Sequence, residues 1–437
     1  MSPTPSTPST PSTISPTAAP PMLAAPSAGS PPATRRAGGR TADRRIDTAC
    51  PACASRTLTV FFEEDGVPTN SCLLLDDPGE ATGFPRGELR IAFCDACGFA
   101  TNTAFVPGRA EYSQRYEETQ GFSPRFMGFA RELAERWVED YDLADRTVLE
   151  IGCGKGEFLI EMAKAGAGHC IGIDPGVHPE RVDDPAAADI EWIADFYDER
   201  YSHLDADVVI CRHTLEHIPD VARFMTTIRD AIGDRPDTVV LFELPDLQRV
   251  LDEVAFWDLY YEHCSYFSLG SLARLFRRTG FEVLDLSLEY DDQYLLIAAR
   301  PSSVPAAGES LPAEDDLDRL RHGIASFRTG YDDLVGGWRR RIDELDAAGR
   351  RAVIWGSGSK GVSFISNLAL GSELAAAVDI NPHKWGKYMV GSSHRIVPPD
   401  SLRTLRPDLV VAMNPIYVDE IGAQLDELGV DAELTAL

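Results

Sequence analysis

The sequence predicts an α/β protein: a Rossmann-like domain on a largely parallel sheet, flanked by a small four-cysteine module and a smaller C-terminal Rossmann-like domain. Three observations carry this. Short apolar runs, "TVLEIG", "HCIGIDP", "DADVVICR" and "TVVLFELP", alternate with helical stretches in the middle of the chain, the rhythm of βαβ units. The same strand, glycine loop and helix order recurs in "AVIWGSGSKG", "AAAVDINP" and "DLVVAMNP" near the C-terminus. Two CxxC pairs, Cys50-Cys53 and Cys94-Cys97, precede both blocks.

Taken in order, residues 1–46 are Pro/Ser/Thr/Ala-rich, opening with "TPSTPSTPST", and should be a disordered tail. Residues 47–108 form the cysteine module. Residues 109–300 form the first α/β domain, entered through "SPRFMGFARELAERWVEDY", whose Phe126, Phe129, Leu133 and Trp137 fall at helical spacing. Residues 301–346 read as a Pro/Ala/Glu-rich linker and a charged helical segment, and 347–437 as the second α/β domain.

A chain of 437 residues exceeds one ordinary core. Its formal charge of −28 argues against nucleic-acid partners, so a phosphate-bearing ligand must meet a local exception. No apolar run is long enough to span a bilayer. The stretch "PPMLAAPSA" is proline-broken and lacks a basic flank, so no secretory leader is expected. Nine cysteines, four of them in CxxC pairs, suit a reducing compartment, and the expected location is cytoplasmic.

Cys50, Cys53, Cys94 and Cys97 can place four thiolates in a tetrahedron, the set a structural Zn²⁺ prefers. Forty residues separate the pairs, which β-rich insertions such as "TLTVFFEEDG" and "GELRIAFC" would fill. A closed four-cysteine site has no open position, so this metal should not be catalytic; a redox CxxC is the alternative. Cys153 and Cys264 read as ordinary buried thiols.

"VLEIGCGKGEFL" puts Glu150 two residues before a G-x-G-x-G that contains Gly152 and Gly154, between an apolar strand and a helix. Dinucleotide and S-adenosylmethionine (SAM) sites share such turns. Three details favour SAM: Glu150 inside the strand, Asp174 ending the next strand where it can take ribose hydroxyls, and Asp195 in "WIADFYDE", placed to face an adenine amino group. "CRHTLEHI" then brings Arg212 and His213 to the cofactor pocket. His213 and His217 also have the i, i+4 spacing of a metal pair, although pocket-lining loop residues suit the context better. These segments resemble class I SAM-dependent methyltransferases; an NAD-binding Rossmann domain is the competing reading.

The order of the three parts, with "FWDLYYEHCSYFS" at residues 256–268, resembles the three-domain sugar C-methyltransferases of deoxysugar biosynthesis over roughly residues 48–437. The segments "WGSGSKG", "VDINPHKWGKYMVG" and "VVAMNP" join in the resemblance. It implies a small-molecule substrate, a nucleotide-linked 4-keto sugar, and assigns acid/base roles to Tyr260, Glu262 and His263. Methylating carbon requires removal of a proton next to a ketone. A histidine is a suitable base, a neighbouring carboxylate can orient it, and a tyrosine can hydrogen-bond the enolate oxygen. Where the family often has Tyr-His-Glu-His, this chain has Tyr261 in second place, which points to a distinct subgroup. O- or N-methyl transfer on a sugar or other secondary metabolite is the alternative reaction.

Upstream, "RYEETQGFSPRF" offers Tyr116, Glu117 and Gln120 either as substrate contacts or as a cap for the helix that follows. In the second domain Gly356, Gly358 and Gly361 form a G-x-G-x-x-G, with Asp379 beyond it. Alone, that pattern suggests NAD and an oxidoreductase. Lys360, Lys384 and Lys387 instead suggest a basic patch for a diphosphate, and the resemblance implies that this domain, with Asn414, helps bind the nucleotide-sugar. A structural lid with solvated lysines is the other reading. Oligomeric state is not legible.

Overall fold

The computed structural model describes residues 39–182, 184–304 and 308–437. The expected tail, for residues 1–38, lies outside the described residues.

The N-terminal module is an antiparallel sheet. β1 (Arg40–Ile46) pairs with β2 (Leu58–Pro68), and a short helix α1 (Pro78–Thr82) leads into β3 (Arg86–Cys94), which pairs with β2 and with β4 (Ala100–Asn102). β1 corrects the tail boundary, because residues 40–46 are strand. Its sequence "RTADRRI" lacks apolar alternation, so composition conceals it. Backbone pairing holds it, aided by Arg40 and Arg44, which reach Glu63 at 2.6 and 2.9 Å.

The middle domain begins with α2 (Pro124–Asp140), capped by Ser123, whose hydroxyl accepts from the Phe126 N–H. Phe126, Leu133 and Trp137 of its expected apolar face are buried and Phe129 is half-buried. Then follow β5 (Val148–Ile151), α3 (Glu157–Lys164), β6 (Cys170–Ile173), β7 (Glu191–Ile193), β8 (Val208–Arg212), α4 (Val221–Ile232), β9 (Val239–Pro245) and α5 (Leu247–Asp252). After β10 (Ser265–Tyr266) come α6 (Leu269–Arg278), β11 (Phe281–Glu289) and β12 (Tyr294–Pro301). The sheet order is β11-β12-β9-β8-β5-β6-β7, parallel from β9 to β7, with β12 and β11 antiparallel. This is the class I Rossmann-like arrangement. β5 and β8 are buried along their whole length, as strands covered by helices on both faces must be.

β10 leaves this sheet and pairs with β4, Ser265 against Thr101 and Tyr266 against Ala100. The cysteine module is therefore completed by a strand from beyond residue 108. On its other side the aromatic stretch meets the C-terminal domain, where the Ser363 hydroxyl donates to the Phe256 and Leu259 carbonyls at 3.2 and 3.1 Å.

The expected linker region is largely one helix, α7 (Leu317–Ala347). Its Leu320, Phe327, Tyr331, Ile342 and Leu345 repeat at helical spacing and are buried. Phe327 packs edge-on against Phe61 and Phe62, with ring centroids 5.9 and 5.7 Å apart. The Tyr331 hydroxyl donates to Asn367 at 2.6 Å and accepts from the Gly39 N–H at 2.7 Å. This helix is core between modules rather than a tether.

The C-terminal domain runs β13 (Ala352–Trp355), α8 (Ser359–Leu368), β14 (Leu374–Val378), β15 (Ile396–Val397), α9 (Leu402–Leu405), β16 (Leu409–Ala412), α10 (Val418–Leu428) and β17 (Glu433–Ala436). Its order, β15-β14-β13-β16-β17, is parallel throughout. In both α/β domains the chain runs outward on one side of a central strand and returns on the other. The glycine loops follow those central strands, β5 and β13, at the switch points where open α/β sheets bind ligands.

Candidate active site

Both switch points open into one cavity of about 590 Å³, lined by the two glycine loops, the segment 112–126, and Tyr260 and His263. At the first loop the backbone admits only glycine. Gly152 has φ +74°, and a β-carbon there would sit 1.9 Å from Thr214 Oγ1; at Gly156, φ is +86° and the clash is with Trp192 at 2.2 Å. Glu150, Gly152, Gly154, Asp174, Asp195, Arg212 and His213 all line this cavity.

The acids differ in state. Glu150 is fully enclosed, and burial pushes its carboxyl up to about 8 although Arg212 opposes the shift; its Oε2 has no hydrogen-bond partner among the described residues. Asp174 accepts from the Gly176 N–H at 2.6 Å and the Gly154 N–H at 3.2 Å, and burial raises its carboxyl. Asp195 accepts from the Tyr201 hydroxyl at 2.7 Å and pairs with Arg200 at 2.9 Å, which lowers it. Arg212 grips Glu243 through two hydrogen bonds of 3.0 and 2.9 Å and lies over the Phe158 ring. An orphaned acid, a side-chain-free loop and an aspartate at the next strand's end form a cradle that fits SAM: the acid for its amino group, the loop for close approach, the aspartate for its ribose.

His263 is buried on the wall shared by the three modules. Its Nε2 is hydrogen-bonded to the Tyr260 hydroxyl at 2.9 Å, and its ring packs edge-on to His217 at 4.8 Å. Burial, with His217, His213 and Lys360 nearby, holds its pKa well below the usual histidine range, so the ring is neutral near pH 7. Burial also keeps the Tyr260 phenol protonated.

Glu262 corrects an expectation. It does not orient His263 and does not line the cavity. Consecutive side chains leave this turn on opposite sides, and Glu262 accepts from Asn70 at 3.1 Å and from the Ser71 hydroxyl. The carboxylate nearest His263 is Glu216, with Oε1 4.0 Å from Nε2. Tyr261 is packing: its hydroxyl accepts from the Val106 N–H at 2.9 Å, and its ring lies where a β-carbon on Gly87 would fall. His213 and His217 do not act as a pair. His213 turns to Glu243 at 2.7 Å, while His217 Nδ1 lies 3.0 Å from the Tyr112 hydroxyl.

The expected substrate residues Tyr116, Gln120, Lys360, Lys384 and Asn414 also line the cavity. Several are already partnered. The Gln120 amide donates to Tyr294 at 3.2 Å and accepts from Tyr417 at 2.8 Å. Asn414 and Gln293 exchange two hydrogen bonds. Glu117 is not a cavity residue: it is fully buried, bound by Arg181 at 2.9 Å and Asn381 at 2.8 Å.

The basic patch is also corrected. Lys360 pairs with Asp258, Lys384 with Asp379 at 3.4 Å, and Lys387 with Asp76 outside the cavity. Lys384 is buried rather than a solvated surface lysine. Asp379, the acid that would take a dinucleotide ribose, is occupied by Ser357 N–H and hydroxyl, Asn381 N–H and Lys384. That arrangement disfavours NAD in the second loop.

Sequence reasoning missed Glu118, whose carboxyl burial raises to about 8, and an apolar wall of Phe196, Tyr197, Ile218 and Phe224. "DFY" directly after Asp195 is the signal for that wall. In the cysteine module, Sγ–Sγ distances of 3.8 Å (Cys50–Cys97) and 3.6 Å (Cys53–Cys94) match the roughly 3.8 Å edge of a tetrahedron with Zn–S bonds of about 2.3 Å. All four sulfurs lie within 4.8 Å of one another, so the donor set fits zinc. Cys153 and Cys264 are buried free thiols.

Comparison with known proteins gives two domain families: a methyltransferase domain over residues 124–286 and a C-methyltransferase C-terminal domain over 313–432. Among curated relatives, the C-methyltransferase NovU of Streptomyces niveus is 27% identical over 79% of this chain and 84% of its own. The ubiquinone biosynthesis O-methyltransferase of Yersinia enterocolitica is 34% identical over 22% of this chain and 42% of its own. Among solved structures, the Synechocystis magnesium protoporphyrin IX methyltransferase with bound SAH is similar over 40% of this chain and 84% of its own, at 18% identity and a TM-score of 0.32. With a methyltransferase domain at its centre and a C-methyltransferase C-terminal domain behind it, the chain is a SAM-dependent methyltransferase.

Proposed function

We propose that the protein methylates carbon, next to the ketone of a nucleotide-linked keto-deoxysugar, by base-assisted enolisation. The observation that carries this reading is His263, a neutral imidazole bonded to a protonated phenol on the wall of the glycine-loop cavity. A neutral base and a phenol donor side by side can take a proton from a carbon acid and hold the oxygen that becomes negative.

SAM, when bound, supplies an electrophilic methyl group. Glu150, Gly152, Gly154, Asp174, Asp195, Arg212 and His213 would hold it, with Phe196 and Tyr197 covering the outer side. His263 takes the α-proton at Nε2. Tyr260 turns its phenol proton from that nitrogen toward the enolate oxygen. Glu262 keeps the Asn70–Ser71 side of the wall in place. Support for a sugar nucleotide comes from the C-terminal domain, whose loop, Lys360 and Lys384 share the cavity. A diphosphate would draw those lysines from Asp258 and Asp379. Cys50, Cys53, Cys94 and Cys97 would hold a structural Zn²⁺ with no open coordination position.

The test is transfer from methyl-¹³C SAM to a panel of nucleoside-diphosphate 4-keto sugars, read by NMR. A new methyl bonded to carbon is expected. Label on oxygen or nitrogen refutes the reading.

A further inference from the structure

Glu216 stands on the turn after β8 and lines the cavity beside His263. Its side chain is 3% exposed, and neither carboxylate oxygen has a hydrogen-bond donor among the described residues. Burying such a group without compensation is costly, so charge must be supplied from elsewhere. Three imidazoles surround it: His213 Nδ1 at 3.7 Å, His263 Nε2 at 4.0 Å, and His217, whose ligand atom lies within 4.8 Å.

The far side of His213 explains the balance. Its Nε2 is 2.7 Å from Glu243, which in turn holds Arg212 at 2.9 Å. Burial pulls the His213 pKa down, but Glu216 and Glu243 together raise it to about 9, so it is an imidazolium at neutral pH. Arg212, Glu243, His213 and Glu216 thus form a line of contacts, at 2.9, 2.7 and 3.7 Å, that ends at His263 4.0 Å from Glu216.

This inference rests on the enolisation chemistry proposed above. When the substrate C–H bond breaks, its electron pair becomes the enolate and its proton forms an N–H bond at His263 Nε2. Tyr260 occupies that same nitrogen at 2.9 Å, so its phenol must leave as the proton arrives. The new imidazolium then needs another partner, and Glu262 is turned away. We propose that Glu216 is the positioning residue of the reaction: it aims a carboxylate at His263 Nε2 and stabilises the imidazolium formed there, with His213 packed against its other side. The role expected of Glu262 thus passes to a residue 46 positions upstream of it in the sequence.

The groups facing His263 are Tyr260, Tyr266, His217, His213, Lys360 and Glu216; Tyr112, Cys211 and Cys264 also face Glu216. None of these except Glu216 brings a carboxylate to the His263 ring, so replacing it should lower the basicity of His263.

The experiment is α-proton exchange into D₂O, without methyl donor, from a nucleoside-diphosphate 4-keto-6-deoxyhexose, measured from mildly acidic to neutral pH. Glu216→Gln should slow exchange about 10- to 100-fold and move its acidic limb down by about one pH unit. Glu216→Asp should recover part of both, and SAM affinity by calorimetry should stay near the wild-type value in each. Wild-type exchange and an unmoved limb in Glu216→Gln would overturn the proposal. So would exchange that depends on added divalent metal, because Glu216, His217 and His263 would then be ligands. Absence of exchange in the wild-type enzyme would instead refute the carbon-acid reading on which the proposal rests.

Discussion

Glu150 shows how much one side chain's environment decides. Its strand is buried on both faces, so the carboxyl is held up to about 8 and is mostly protonated at pH 7. A ligand carrying an amine and a sulfonium favours the carboxylate, so binding must release that proton. Calorimetry of SAM binding at pH 7, in buffers of different ionisation enthalpy, should report net proton release, and Glu150→Gln should reduce it. Proton uptake, or release unchanged in the variant, would contradict the placement of Glu150 against the cofactor's charge. The acid and the glycines were legible because loop chemistry is local, written in adjacent residues. Glu262 and Glu216 were not. "YYEH" places an acid beside the base in sequence, but side-chain direction at a turn is set by the partners waiting on each side, here Asn70 and Ser71 from a different module.

At the level of elements, β10 links the four-cysteine module to the segment that carries His263. Two residues after His263 the chain enters the cysteine module's sheet, pairing with β4, and β4 follows Cys97 by three residues. A zinc content of one per chain is therefore expected, and its removal should reach His263 through β4 and β10. Chelation or Cys94→Ser should lower both metal content and turnover, with the fall in turnover tracking metal loss. Full turnover by metal-free protein would contradict this link. The strand–loop–helix units were readable from apolar runs and glycines. β1 and β10 were not, because "RTADRRI" is too polar and "SY" too short to carry a strand signal.

At the scale of the whole molecule, α7 joins the parts. Phe327 packs edge-on against Phe61 and Phe62 of the cysteine module, and Tyr331 ties Gly39 to Asn367 of the C-terminal domain. Truncating a buried phenylalanine there, as in Phe327→Ala, should cost about 3–5 kcal/mol of unfolding free energy and lower the main thermal transition. If only a minor early transition moves, α7 is not the shared core described above. The sequence showed three modules but not their union, since contacts between distant segments leave no local pattern. That union places His263, a glycine loop and a second Rossmann-like loop around one cavity.

In the proposed reaction this cavity makes a carbon nucleophile with His263 as base. This step is tested most directly by incubating the enzyme with a nucleoside-diphosphate 4-keto sugar in D₂O, without SAM, and following the α-proton by NMR. The wild-type enzyme should wash out that proton, while His263→Ala, still able to bind SAM, should not. Methyl transfer to a substrate whose α-proton never exchanges, or exchange undiminished in His263→Ala, would contradict it.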